Sequence, residues 1–175
     1  MRDIQLVAQY VGLSLLSKGL SVSPLKLQKI LYYVQAWYMV FFGRKRTLFS
    51  EIPQAWVNGP VYPSVYRKYR RCVPGMCDHL QATDFCGEED PSVALKRISS
   101  LLNFTDEEQE LIESIIILYG AKTQNELILY THAEKPWAEK REGLSPFQRS
   151  EKELSLDTMY EYYKARHDKN REGKA

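Results

Sequence analysis

Residues 27–66 read LQKILYYVQAWYMVFFGRKRTLFSEIPQAWVNGPVYPSVY, and this stretch decides the fold. Its first half is a helix that Ser23-Pro24 opens, as N-cap followed by proline at the first helical position, and that Gly43 closes. Leu27, Ile30, Leu31, Val34, Trp37 and Phe41 line one face of it. Tyr32, Met39, Val40 and Phe42 leave the other faces apolar as well, so the helix is expected to be surrounded by neighbours and to form the centre of the core. Beyond Gly43 the period changes. Apolar residues cluster as Leu48-Phe49 and Ala55-Trp56-Val57, bracketed by Pro53 and Asn58-Gly59-Pro60, a pattern of short extended segments.

Working outward, other helix signals dominate. Asp3 can cap a helix with Ile4, Val7, Ala8, Val11 and Leu15 at three-four spacing, and Gly19 can end it. A short basic helix follows Pro63 to about Arg71, and Asp90-Pro91 starts another to about Leu102. Thr105 with Glu108, and Thr123 with Glu126, read as capping boxes for helices reaching Tyr119 and Ala133. A last amphipathic helix from Ser155 places Leu156, Met159, Tyr160 and Tyr163 on one side. The fold class is mainly α: a single compact helical domain built round a buried central helix, with a small extended or β insertion near residues 48–58. The domain is expected over residues 1–166, with 167–175 as a charged, disordered tail.

At 175 residues the chain is long enough for one core. Hydrophobic residues at 44% and charged residues at 26% are globular values, and a net charge of +2 does not by itself announce a nucleic-acid or membrane partner. The longest apolar run, Val34 to Phe42, is far short of a membrane span, and Met1-Arg2-Asp3 carries no cleavable signal pattern, so a cytosolic protein is expected. Three cysteines crowded between Cys72 and Cys86 do not make a secreted disulfide framework.

Candidate chemistry is sparse. Cys72, Cys77, His79 and Cys86 are four soft ligands separated by four, one and six residues, a spacing unlike that of closed zinc sites, so no metal is expected. His132-Ala133-Glu134 has the H-x-E form of zinc deaminases, but no cysteine follows Cys86 to supply their second ligand pair. Gly120-Ala-Lys-Thr123 follows a helical run instead of a glycine-rich loop and fails as a phosphate cradle. No cofactor is expected. His132, Glu134, Pro136 and Trp137 read first as a tight inter-helix corner: a helix ending before Lys135-Pro136, His132 near its C-terminus, and Trp137 packing back. Gln28 and Gln35, seven apart on one face of the apolar helix, are expected to bond the irregular backbone around Trp56 to Pro60. Arg67, Arg70 and Arg71 share a helix face with Tyr66 and Tyr69 nearby, which could bind phosphates and stack on bases; the alternative is an ordinary solvated face, and the small net charge favours it.

Leu27-Gln28-Lys29-Ile30-Leu31-Tyr32-Tyr33, then Gln35, Trp37, Gly43, Ala55-Trp56, Gly59-Pro60-Val61, Pro63 and Val65-Tyr66, followed much later by Leu129-Tyr130-Thr131-His132-Ala133-Glu134-Lys135-Pro136-Trp137 and Arg141, resemble the two motif blocks of the Panacea antitoxin domain, also called SocA-like or phage-associated GepA-like. The resemblance covers roughly residues 5 to 165. It implies an antitoxin of a toxin-antitoxin system that binds and neutralises a protein toxin encoded by a neighbouring gene, or delivers it to a cellular protease; the residues themselves form no recognisable catalytic constellation. The partner surface is expected around Asn58, Gly59 and Pro60, with Tyr62, Tyr66 and Arg67, because an irregular turn cannot bury all its backbone groups. Two other classes remain as alternatives: a nucleic-acid-binding or nuclease-related protein of a prophage or mobile element, resting on the basic helix, and an enzyme acting through His132 and Glu134.

Overall fold

The computed structural model describes residues 1–70 and 79–173. Among these are nine helices and one small antiparallel hairpin. Asp3 caps α1 (Ile4–Ser17) by accepting from the Gln5 amide at 2.8 Å. Ser23 caps α2 (Pro24–Phe42), with proline in the first turn and Gly43 at its end. The hairpin is β1 (Gln54–Trp56) with β2 (Gly59–Val61), paired in the register Gln54 to Val61 and Trp56 to Gly59. Then come α3 (Pro63–Tyr69), α4 (Ala82–Cys86), α5 (Pro91–Leu102), α6 (Asp106–Gly120), α7 (Gln124–Ala133), α8 (Lys135–Arg141) and α9 (Leu156–Glu172). Both expected capping boxes form, Thr105 with Glu108 and Thr123 with Glu126.

Helix α2 is the hub: α1, α3, α6, α7, α9 and β2 all pack on it. Ile30, Leu31 and Val34 are completely buried, as are Tyr32 and Tyr33. Its two ends differ, however. Trp37 is half-buried, and Phe41 is 56% exposed, contrary to the even burial that the apolar pattern suggests. The final turn of α2 is flanked by α9, where the Phe41 ring meets His167 at 5.3 Å and Trp37 meets Tyr163 at 5.2 Å, and its outer side faces water.

Two further expectations change. The strands lie at 54–56 and 59–61, later than the Leu48-Phe49 cluster, which is buried but not in a strand. Gln35 explains why: its Oε1 accepts from the Leu48 amide and its Nε2 donates to the Phe49 carbonyl, both at 2.9 Å, so a side chain takes the place of a strand partner. The hairpin also gains a partner from far along the chain, since the Ala55 amide donates to the Lys152 carbonyl and the Leu154 amide to the Pro53 carbonyl, each at 2.8 Å. Finally, α9 does not stop at residue 166. It continues to Glu172, so most of the segment expected as a disordered tail is helical.

Candidate functional site

Helices α7 and α8 meet at a sharp corner, and α2 passes beneath it. Glu134 forms the corner, ending α7 and capping α8 with extended backbone at φ −94°, ψ 135°. Proline at residue 136 explains why α7 does not run on: in a continuous helix it would lack the amide that bonds the His132 carbonyl and would crowd that carbonyl, whereas the first turn of α8 needs no such donor. On the outside of the corner the rings of His132 and Trp137 stack with centroids 4.0 Å apart and planes 9° apart. Trp137 Nε1 donates to the Trp56 carbonyl at 2.9 Å, which ties the corner to the hairpin. Trp137 packs back onto the corner, and the ring that it meets there is His132.

The carboxyl of Glu134 points inward and is 3% exposed. Tyr163 donates to its Oε2 at 2.5 Å and Tyr32 to the same atom at 3.3 Å, while Tyr33 donates to Oε1 at 3.4 Å. Arg166 stands 3.7 Å from Oε1. Burial raises the carboxyl to about 7, against the opposing pull of the Tyr163 hydrogen bond, Arg166, Tyr32 and Tyr33. The tyrosines are themselves pushed upward, chiefly by burial and then by neighbours that include this carboxylate, so they remain protonated donors. Tyr33 also stacks on Tyr119, at 3.7 Å between centroids, and Trp37 Nε1 donates to Tyr119 Oη at 3.1 Å. A single glutamate thereby gathers α2, α7, α8 and α9, with α6 behind them.

One helical turn before the tyrosines, Lys29 is fully buried, a residue that the sequence reading passed over. Its Nζ donates to the Pro60 carbonyl at 2.9 Å, and burial lowers the amine to about 7. The strand needs this donor because α2 covers β2 closely. Gly59, at φ +97°, leaves no room for a side chain: an added Cβ would lie 2.5 Å from Lys29 Cε and 2.7 Å from Thr131 Oγ1. His132 beside it is held below its ordinary range by burial and then by Lys29. A lysine in a helix with no solvated face, three and four residues before two tyrosines, was the available signal.

The glutamines divide their tasks. Gln28 Oε1 accepts from the Tyr62 amide at 2.8 Å, just past the irregular turn, whereas Gln35 serves Leu48 and Phe49 and not the turn. The Trp56–Pro60 backbone is held instead by Lys29 and Trp137, side chains that reach it from α2 and α8. The residues expected to face a partner also separate. Asn58 and Arg67 are exposed and Tyr66 is half-buried, its ring edge-on to Trp56 at 4.9 Å. Gly59, Pro60 and Tyr62 are buried, Tyr62 completely, so they support the turn from below and offer no contact surface. Being packed against α2 and α7, β2 draws them inward.

Arg67 and Lys68 on α3 and Arg70 just past its end are exposed, but Tyr69 is 3% exposed and packs on Phe85 at 5.0 Å, so it cannot stack on a base. Arg44 of the other basic group is engaged by Asp157 and Glu161. Arg71, Cys72 and Cys77 lie outside the described residues. His79 is exposed, and the Cys86 thiol donates to the Ala82 carbonyl at 3.1 Å. Among the described residues no three His, Cys, Asp or Glu side chains gather to hold a metal ion, and no helix is long and apolar enough to cross a membrane.

The model of the family described as antitoxin SocA-like, Panacea domain matches residues 27–138, which runs from the start of the buried face of α2 to the His132–Trp137 corner. That span is well over half of the chain, and the chain belongs to this family. No curated protein and no solved structure matches it.

Proposed function

We propose that this Panacea-domain protein is an antitoxin of a toxin-antitoxin system, acting in the cytosol by binding the protein product of a neighbouring gene and neutralising it. The observation that carries the reading is the family match over residues 27–138, which takes in both the central helix and the Glu134 corner. The geometry supports a binding role over a catalytic one. Glu134 is turned inward onto three tyrosines and His132 is covered by Trp137, so the H-x-E pair is committed to holding helices together.

The corner in turn makes the hairpin turn rigid, because Lys29 and Trp137 fix its carbonyls from below. Asn58, Tyr66 and Arg67 are then the side chains of the expected surface that remain available to a toxin. Tyrosine and arginine on a preorganised support suit a binding hot spot, since little freedom is lost on association.

Expression of the neighbouring gene alone should arrest growth, and co-expression of this protein should relieve the arrest. Tyr66→Ala together with Arg67→Ala should weaken the rescue while the circular dichroism spectrum stays that of the wild type. A neighbour that is harmless alone overturns the antitoxin reading, and full rescue by the double variant overturns this surface. Toxin that disappears on co-expression, and reappears when the host's proteases are inactivated, would establish delivery to a protease in place of direct inhibition.

A further inference from the structure

We infer that the loop after α8 is a preformed docking knob, with Phe147 as the anchor that enters an apolar pocket on the protein toxin. The inference rests on the antitoxin reading and names a partner-contacting element that lies outside the residues matched to the family.

The loop is held with unusual completeness for a surface segment. Arg141, the last residue of α8, is 8% exposed. Its Nη1 donates to the Gln148 carbonyl at 2.7 Å and to the Ala55 carbonyl at 3.4 Å; its Nη2 donates to the carbonyls of Pro146 at 3.1 Å and Ser145 at 3.2 Å. One guanidinium thus gathers three carbonyls of a four-residue turn and braces them on strand β1. Within the turn, the Gln148 amide donates to the Ser145 carbonyl at 3.1 Å, and the Gln148 side chain accepts from the Ser145 amide at 3.3 Å. Pro146 further restricts the backbone at its first central position.

The second central position is Phe147, and its side chain is 87% exposed, matching Met1 as the most exposed large hydrophobic among the described residues. Burying an arginine carries a desolvation cost that only good hydrogen bonding offsets. Folding alone does not require that cost in order to leave a phenylalanine in water. A partner pocket gives the bracing a use: the Ser145, Pro146 and Gln148 carbonyls and the Ser145 and Gln148 amides are already paired, so docking the ring would remove apolar area from water with little backbone freedom left to lose.

Position supports the assignment. The family match stops at residue 138, and the knob occupies residues 145–148, joined through Arg141 to a scaffold inside the match. A shared scaffold carrying its own anchor just outside suits proteins of one fold with different partners, since loops on a rigid frame carry specificity.

The test uses the full chain and the purified product of the neighbouring gene, with binding followed by calorimetry. Phe147→Ala should raise the Kd by roughly tenfold or more, as expected for a buried aromatic anchor, with the thermal unfolding midpoint unchanged because the ring packs on nothing. Pro146→Gly should weaken binding several-fold while keeping the ring, by loosening the turn. A photo-crosslinking p-benzoylphenylalanine at position 147 should attach to the toxin and not to a second copy of this chain. If Phe147→Ala binds within about twofold of the wild type, or the crosslink forms only between copies of this chain, the knob is not the anchor although the antitoxin reading stands. If the wild type does not bind the neighbouring product at all, both fall together.

Discussion

Tyr163 Oη lies 2.5 Å from Glu134 Oε2, so the last helix of the chain is bonded to the corner between α7 and α8 across the buried face of α2. This contact joins a corner inside the family match to a helix beyond it, between residues 29 apart in sequence. Removing the phenol should therefore act on the fold. Tyr163→Phe keeps the packing and deletes a donor to a buried carboxylate, and it should cost about 1–3 kcal/mol in urea unfolding.

Glu134 should give the protein a distinctive dependence on pH. Its carboxyl is raised in the fold to about 7 from an ordinary 4.5, so the folded state favours the protonated form. The stability that this group contributes is complete below pH 4.5 and is lost as the pH rises through 7. The facing groups do not cancel the effect, because Arg166 stays charged and Tyr32, Tyr33 and Tyr163 stay protonated over that interval. Measured against Glu134→Gln, which cannot titrate, the wild type should lose relative stability between pH 4.5 and 7. A constant difference across that window would contradict the assignment.

Leu31 is completely buried in the middle of α2, where every neighbouring element converges. Leu31→Ala should leave a cavity and cost ~2–5 kcal/mol, read as a lower urea midpoint at unchanged slope. Wild-type stability in this variant would remove α2 from the centre of the core.

Gly59 and Gly143 separate backbone strain from crowding. Both have positive φ, +97° and +76°, but an alanine at 143 enters open space whereas at 59 it meets Lys29 and Thr131. Gly143→Ala should cost about 1 kcal/mol, and Gly59→Ala clearly more, because a conformational penalty of about 1–3 kcal/mol is joined by displacement of the buried lysine. Equal effects would mean that β2 does not sit against α2 as closely as described.

The basic helix α3 should not read nucleic acid, since Tyr69 is turned into the core and the half-buried Tyr66 ring is held against Trp56, which leaves its arginines without the row of open rings that single-strand binding uses. Gel-shift titrations at low and moderate salt should show weak binding that Arg67→Glu with Arg70→Glu barely alters. Sub-micromolar, salt-dependent binding abolished by that double change would favour the mobile-element nucleic-acid alternative.

The sequence by itself determined most of the helices, because their signals are local, although no such signal pointed to α4 or to the last turn of α9. Asp3, Ser23, Thr105 and Thr123 cap where short-range chemistry places them, and α2 reads as buried because no face of it is polar enough for water. The His132–Trp137 corner was legible for the same reason, being dictated by Pro136 and a ring five residues away. What only the tertiary structure decided are the pairings between distant positions. Gln35 replaces a strand partner for Leu48 and Phe49, Lys29 reaches Pro60, Arg141 gathers the 145–148 turn onto Ala55, and Glu134 finds its tyrosines on α2 and α9. Nor could the sequence show that Tyr62 faces inward and Phe147 outward, since burial of an aromatic outside a helix follows from what packs over it, and no periodicity records that.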